Sequence, residues 1–307
     1  MPCGIFLYEI DKQFGPNVLA EYYLDKIEVS TDVLKKLNEK HIEKNLLDAT
    51  TEDNDYRFYS SKIESESNKL KNLYLGFILR ENEDLVSLKS LFDKAENNIL
   101  EKFDPKNKQK AKKMLKETLN SIMSLMEKLK EPTIIQETIN EKTKCLLDEG
   151  KLQEARELID LGEKIPGELS ELVKDAEEDF HQEDYKKSKK KFLKAAELAE
   201  SIQEDEIVIF LENKAEKIGC FPDLINERED IQEDVKDLYK EFDAEQLQIF
   251  KKMIDPIQRL IEISNNFEEN EIYDFLTSLL KDIKEASRLS SQLSDLDKIL
   301  NDKIKKL

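Results

Sequence analysis

Apolar residues near the N-terminus fall into short blocks that are typical of β-strands. Residues 4–10 and 73–79 are almost continuously apolar, which favours strands that are covered on both faces. Residues 18–23 follow the turn sequence Phe14-Gly15-Pro16, so the first two strands are expected to form a hairpin. A further strand is expected at residues 56–59. These blocks predict a small sheet confined to the first eighty residues.

Two amphipathic helices are interleaved with these strands. The first begins at Ser30 or Thr31, either of which can cap a helix through its side-chain oxygen. The polar and acidic residues 50–55 are expected to form a loop. The apolar residues of the two helices recur at steps of three and four: Leu34, Leu37 and His41 in the first, and Leu85, Leu88, Phe92, Ala95 and Ile99 in the second. The predicted order is therefore β-β-α-β-β-α.

From residue 104 onward the apolar spacing is helical almost throughout. Asp104-Pro105 marks the boundary, and Gly150, Pro166-Gly167 and Asp243 are among the breakers that separate later helices. Each predicted helix is about 12 to 20 residues long, as packed globular helices are. The chain has only 7 Gly and 7 Pro in 307 residues, which favours long helices and argues against a sandwich or a barrel.

The last segment carries a narrow apolar seam. Its spacing is that of a coiled coil, or of a long helix packed on its neighbour, and the helix would be roughly 50 Å long. The seam fits either of two structures, an intramolecular helical hairpin or the interface of a homodimer. The seam residues are Ile272, Leu276, Leu279, Ile283, Ala286, Leu289, Leu293, Leu296 and Leu300.

Together these patterns predict an α+β N-terminal domain followed by an all-α body. The α+β domain, a small antiparallel sheet with packed helices, covers residues 1–103. An array of helical hairpins covers residues 104–242, and a C-terminal helical hairpin or coiled-coil segment covers residues 243–307.

The charge balance narrows the class of partner. The chain has 49 Lys and Arg against 68 Asp and Glu, a formal net charge of -19. A phosphate backbone repels such an anion, so we expect no nucleic-acid partner. No stretch approaches the roughly 18 apolar residues of a spanning helix, although a local basic patch leaves peripheral membrane contact open. The beginning of the chain lacks the features of a signal peptide, and the three cysteines form no C-x-x-C pair, so we expect a cytoplasmic protein.

The sequence offers no constellation that points to catalysis. His41 lies on an apolar helical face, where a packed imidazole is far commoner than a catalytic one, and His181 lies at a helix end. No phosphate-binding glycine loop, nucleophile elbow or zinc-binding helix motif occurs. Asp53-Asn54-Asp55 lacks the Gly and Glu of a calcium loop. We therefore predict no catalytic residue, no cofactor and no metal site.

Two lysine clusters stand out in this acidic chain. Either could attract an acidic helix, an acidic tail or an anionic lipid; alternatively, they pair with acidic helix faces inside the molecule, which we favour. The first cluster contains Lys106, Lys108, Lys110, Lys112, Lys113 and Lys116. The second contains Lys186, Lys187, Lys189, Lys190, Lys191 and Lys194, around Phe192.

Residues 143–202 contain an internal repeat with an offset of 33 residues. The offset aligns Leu152 with Tyr185, Ala155 with Ser188, Ile159 with Phe192, and Gly162 with Ala195, and Pro166-Gly167 is expected to end the first unit. With its Asp184-Tyr185 turn and its Phe192-x-x-Ala195 pair, this region resembles the tetratricopeptide repeat family, although the first unit lacks the usual aromatic residue at Ile159. Generic α-hairpins are the alternative.

The first hundred residues resemble the longin and roadblock families, which share a profilin-like layout. The resemblance depends on order and spacing: a strand at residues 4–10, the turn at Phe14-Gly15-Pro16, a strand at 18–23 and another at 73–80. One strand fewer than the family norm is visible, unless a short one lies between Asp48 and Tyr56. The resemblance implies docking onto small GTPases, vesicle-trafficking factors or related modules, and an unrelated small α+β domain is the alternative.

These observations favour a non-enzymatic adaptor that binds other proteins, with a small GTPase or a trafficking-type complex implied by the resemblance alone. The alternative is a structural helical scaffold that oligomerises through its C-terminal helix. A hydrolase or transferase that uses scattered carboxylates is the least favoured of the three.

Overall fold

The fold was analysed in a computed structural model, which describes residues 2–11, 13–25, 27–63, 72–80, 85–103, 107–240, 248–267 and 269–305. The chain divides into two compact units, Met1–Phe221 and Pro222–Leu307. The predicted boundary at Asp104-Pro105 and the predicted breaker Asp243 lie outside the described residues.

The first unit contains a five-stranded sheet and eight helices among its described residues. The strands are β1 (Gly4–Asp11), β2 (Gly15–Tyr23), β3 (Asp48–Asp53), β4 (Tyr56–Lys62) and β5 (Leu73–Arg80). The helices are α1 (Thr31–Asn38), α2 (Leu85–Lys102), α3 (Lys108–Lys130), α4 (Pro132–Asp148), α5 (Leu152–Gly162), α6 (Ile165–His181), α7 (Tyr185–Ser201) and α8 (Asp205–Gly219). A π-helical turn, Glu39–Glu43, continues α1.

The sheet is antiparallel throughout, with the strand order β2-β1-β5-β4-β3. The two apolar blocks predicted as doubly covered strands are the adjacent strands β1 and β5, and nearly all of their side chains are buried. Leu7 lies opposite Leu75 in their register. Central strands are covered on both faces, which explains why these two blocks are apolar without alternation.

The predicted loop at residues 50–55 was wrong, because most of it is strand β3. Thr50 and Thr51 are buried and have the β-branched side chains that fit a pleated surface. Asp53 pairs with Tyr56, and Asn54, at φ 54°, occupies the two-residue turn between them. The acidic residues that suggested a loop therefore lie at the exposed end of the β3–β4 hairpin.

Helices cover both faces of the sheet. Phe6, Tyr74 and Ile78 form a buried cluster on the face where Val33 and Leu37 of α1 pack. On the opposite face the rings of Tyr59 and Phe92, from β4 and α2, meet edge to face with their centroids 6.1 Å apart. The sheet is thus the middle layer of three, and α2 connects it to the helices that follow.

The predicted α+β region followed by an all-α region is confirmed. Every described element after β5 is a helix, and the last one is the longest. None of the helices in the described part of the chain combines the length and apolarity needed to cross a bilayer.

The predicted repeat corresponds to two helix–helix corners of similar construction. Gly150 and Glu183, 33 residues apart, have φ angles of 76° and 62° and lie just before α5 and α7. The small residues of the alignment pack closely: Gly162 lies against Ile139 of α4, and the Ser188 hydroxyl donates to the Ala176 carbonyl at 2.8 Å. Small residues thus recur where α5 and α7 cross the preceding long helices.

One detail of the repeat prediction was wrong. Ile159 is 43% exposed whereas its aligned residue Phe192 is fully buried, because α5 ends at Gly162 and α7 continues to Ser201 with a longer buried face. The break expected at Pro166-Gly167 is present: these residues lie in the first turn of α6, directly after the α4–α5 pair, where the missing N–H of a proline costs no hydrogen bond.

The second unit contains most of α9 (Phe221–Lys240) and the hairpin of α10 (Ile249–Asn266) and α11 (Asn270–Ile304). The two helices have 18 and 35 residues, so α11 extends far beyond the end of α10. Salt bridges join α9 to this hairpin, with Arg259 donating to Glu227 at 2.7 Å and Arg228 to Glu269 at 2.9 Å.

The predicted single seam along α11 is split between two faces. Of its nine residues, only Leu276 and Ile283 are buried, and they share their face with Tyr273 and Leu280. The other large residues beyond Ser290 are exposed, because α10 is too short to cover them.

The packing of β1 on β5 leaves no space for a side chain at Gly76, and this can be tested by substitution. The ring of Phe6 lies directly over this glycine, and an added Cβ would be 2.1 Å from Phe6 Cζ. We expect Gly76→Ala to lower the free energy of unfolding by about 1–3 kcal/mol, because the ring must leave its position. Urea denaturation measures this change.

Gly167→Ala is the matched control. It lies in α6 with open space around its Cβ position, so we expect it to be neutral or stabilising by up to about 1 kcal/mol. Equal stability of the two variants would contradict the packing described for Phe6.

Candidate functional site

A buried chain of hydrogen bonds surrounds His41. Its Nδ1 lies 2.8 Å from the Leu46 carbonyl oxygen, and its Nε2 lies 3.2 Å from Ser60 Oγ. Because a carbonyl can only accept, the proton is on Nδ1 and the Ser60 hydroxyl donates to Nε2. The Tyr8 hydroxyl, 2.8 Å away, then donates to Ser60 Oγ. Both ring nitrogens of His41 and the Ser60 hydroxyl therefore have hydrogen-bond partners.

This arrangement contains a serine–histidine pair but not the access that nucleophilic catalysis requires. Ser60 is fully buried in β4, and His41 is only 4% exposed. Desolvation by burial lowers the pKa of His41 to about 4, so the imidazole is neutral at physiological pH. We interpret the chain as a polar part of the core that fixes the π-helical turn on the sheet.

The first lysine cluster lies in the opening turns of α3. Lys108, Lys110 and Lys112 are exposed and have no acidic partner among the described residues. Lys113 lies 3.7 Å from Glu117, and Lys106 is outside the described residues. The predicted internal pairing therefore accounts for only part of this cluster.

The second cluster lies on α7, and its lysines have two different environments. Lys187 contacts Asp184 at 2.5 Å, and Lys191 contacts Asp179 at 2.9 Å and Asp175 at 3.6 Å, so these two are paired inside the molecule as expected. The side-chain hydrogen bond to Lys187 holds the pKa of Asp184 below its ordinary value.

Of the other lysines of α7, Lys189 lies against Gly219 of α8, and the remaining three form an exposed row. Lys186, Lys190 and Lys194 are spaced four residues apart, and all three are exposed without a partner in the described part of the chain. Residues four apart lie on one face of a helix, so the three ammonium groups form one line. We call these three residues the α7 lysine stripe.

The opposite face of α7 is fully packed. Phe192, Ala195 and Ala199 are buried, and α7 lies between α6 and α8. Lys214 of α8 lies beneath this face, with its Nζ 4.7 Å from the centre of the Phe192 ring and 3.1 Å from Glu177 Oε1. The stripe is therefore presented on a helix whose position is fixed by its neighbours.

The stripe does not stabilise the helix that carries it. The first turn of α7 has no acidic residue, and the charge of Lys186 in that turn opposes the helix dipole. Like charges four residues apart also repel each other by a few tenths of a kcal/mol per pair. Since the stripe has no partner among the described residues and its like charges repel each other, its charge is available for an external partner.

The remaining predicted candidates do not form a site. Among the described residues, no group of three His, Cys, Asp or Glu is arranged to hold a metal ion. His181 is exposed at the end of α6. Cys3 is buried, whereas Cys145 and Cys220 are exposed free thiols.

Sequence reasoning missed Lys214, which is 1% exposed. The available signal was its spacing: Lys214 lies at steps of three and four from Ile207, Leu211 and Ile218, which are core residues of α8. A lysine on that face must pair with an anion or a ring once it is buried.

The depressed pKa of His41 predicts how stability depends on pH. Above about pH 6.5 the ring is neutral in both states, so its stabilisation is complete. As the pH falls toward 4, the unfolded chain takes up the proton first, and we expect a loss of about 3 kcal/mol. The free energy of unfolding, measured by urea denaturation from pH 7 to 4, tests this.

His41→Gln should flatten that pH dependence, whereas His181→Gln, at an exposed position, should leave it unchanged. Identical slopes for His41→Gln and the unmodified chain would contradict the buried neutral imidazole.

Comparisons with known proteins do not assign the chain to a family. No protein-family model matches the chain, and neither the curated proteins nor the solved structures compared with it give a match.

Proposed function

We propose that this chain is a non-enzymatic adaptor that docks an acidic protein surface on the α7 lysine stripe. The observation that carries the proposal is the combination of charge and fixed position. Lys186, Lys190 and Lys194 are exposed and unpaired in the described structure of a chain with a net charge of -19, on a helix whose other face is buried. Because the backbone of α7 is already fixed, it loses little conformational freedom when a partner binds.

The surroundings of the stripe favour a protein over a nucleic acid. Asp175 and Asp179 lie beside α7, paired with Lys191, and would repel a continuous phosphate backbone. A partner helix with carboxylates four residues apart would match the stripe lysine by lysine, and the acidic flanks would reject partners whose charges are out of register.

The sheet layer supports a second part of the proposal. Strand β3 supplies the fifth strand that the longin and roadblock resemblance requires, and helices cover both faces of the sheet. We propose that this layer is a docking module of that kind, with a small GTPase or a vesicle-trafficking-type complex as its partner.

A cytoplasmic location belongs to the same proposal. Cys145 and Cys220 are exposed free thiols, which a reducing compartment maintains in that state.

Charge reversal tests the stripe. In the full chain, Lys186→Glu, Lys190→Glu and Lys194→Glu together replace three positive charges by three negative ones. We expect protein partners that are retained by the tagged chain, and identified by mass spectrometry, to be lost at low salt. Because the three side chains are exposed, we expect stability to change by no more than about 0.5 kcal/mol.

The matched control reverses Lys108, Lys110 and Lys112 on α3, which changes the net charge equally. This control should retain the partners of the α7 lysine stripe. Equal retention by both triple variants and the unmodified chain would refute docking on α7, and equal loss by both would show that only net charge matters.

A further inference from the structure

Helix α11 has two apolar faces, and only one of them is used inside the chain. Tyr273, Leu276, Leu280 and Ile283 are buried on the face toward α10. The second face lies about 100° around the helix from the first, at 3.6 residues per turn. Since α10 covers the first face, most of the second face is exposed, and Leu279 and Ala286 on it are part-buried.

The residues of the second face recur with a strict period of seven. We call this face the outer seam, and it consists of two heptad positions. The first position is occupied by Ile272, Leu279, Ala286, Leu293 and Leu300. The second is occupied by Phe275, Asp282, Leu289, Leu296 and Lys303. Six large apolar residues of the seam, namely Ile272, Phe275, Leu289, Leu293, Leu296 and Leu300, are between 41 and 66% exposed. A repeat of 3.5 residues fits another helix, because only a supercoiled partner follows it continuously.

We propose that the outer seam pairs with the outer seam of a second copy of this chain, in antiparallel orientation. Asp282 and Lys303 are the two charged residues on the seam. A parallel pair would align each with its own equivalent, so that like charges meet in the interface. In an antiparallel pair centred near residue 291, Asp282 of each copy lies within one helical turn of Lys303 of the other. The symmetric pair therefore contains this contact twice.

The two ends of α11 also differ in charge. A two-fold interface requires that the contacts from one copy are returned by the other, and both members of the charge pair are on α11 itself. The N-terminal part, residues 270–285, has four acidic and two basic residues: Glu271, Asp274, Asp282 and Glu285 against Lys281 and Lys284. The C-terminal part, residues 298–305, has three lysines and one aspartate: Lys298, Lys303 and Lys305 against Asp302.

The apolar area is sufficient for a reversible dimer. In this register Leu289 faces Leu293 of the second copy, and Leu296 faces Ala286. The two outer seams together would bury on the order of 1,000 Å², which is the lower bound for a specific interface. We therefore expect a dissociation constant on the order of 10 µM.

Sedimentation equilibrium of the full chain, from about 1 to 200 µM, tests the dimer. We expect a concentration-dependent dimer that Leu293→Glu with Leu296→Glu weakens at least about 100-fold, because it buries four carboxylates in the interface. Both leucines are exposed in the single chain, so helix content should not change. The control, Ser291→Glu with Asn301→Glu, adds the same charge away from the seam and should remain dimeric.

A charge swap tests the orientation. Lys303→Glu should weaken the dimer about 10-fold, and adding Asp282→Lys should restore it, since the pair is then rebuilt with its signs exchanged. A protein that stays monomeric over the whole concentration range overturns the proposal. In that case the outer seam is covered by another part of the chain or by a different protein. A dimer that ignores Leu293→Glu with Leu296→Glu also overturns it, and failure of the swap overturns the antiparallel orientation. None of these outcomes depends on docking at α7.

Discussion

The arrangement of the first unit depends on one buried carboxylate. Glu204, which is 5% exposed, lies between α7 and α8 and contacts Lys142 at 2.7 Å and Lys128 at 3.1 Å. The same Lys142 ammonium donates to the Gln203 carbonyl oxygen at 2.6 Å. A buried charge must be paired, and these partners come from α3 and α4, more than sixty residues earlier in the chain. The corner that ends α7 is thereby fixed to the first helices after the sheet.

This connection joins the sheet layer and the α7 lysine stripe in one unit. Helix α2 packs on the sheet and also on α8, where Lys94 contacts Glu206 at 2.9 Å. Lys116 of α3 lies over the ring of Tyr22 in β2, at 5.8 Å from its centre. A partner that contacts both the sheet layer and the stripe would therefore find them already positioned, which reduces the ordering cost of binding.

Local patterns predicted most of this fold, and long-range pairing accounts for what they missed. The central strands and the small residues at the helix crossings were visible because burial dictates side-chain type at each position. Strand β3 was missed because its acidic residues are exposed at a hairpin end, which looks like a loop in sequence. Glu204 looks solvated until partners that are distant in sequence are known, whereas the burial of Lys214 could have been predicted from its spacing on the core face of α8. Likewise, a heptad pattern does not reveal which face of α11 meets α10.

The central claim is that the α7 lysine stripe is covered by an acidic protein surface in the cell. Lysine-reactivity footprinting tests it most directly, by comparing the acylation rate of each lysine in the isolated full chain and in its complex purified from cells. We expect Lys186, Lys190 and Lys194 to react several-fold more slowly in the complex, while Lys108, Lys110 and Lys112 react at unchanged rates. Unchanged reactivity of the stripe in a complex that protects other lysines would contradict the account.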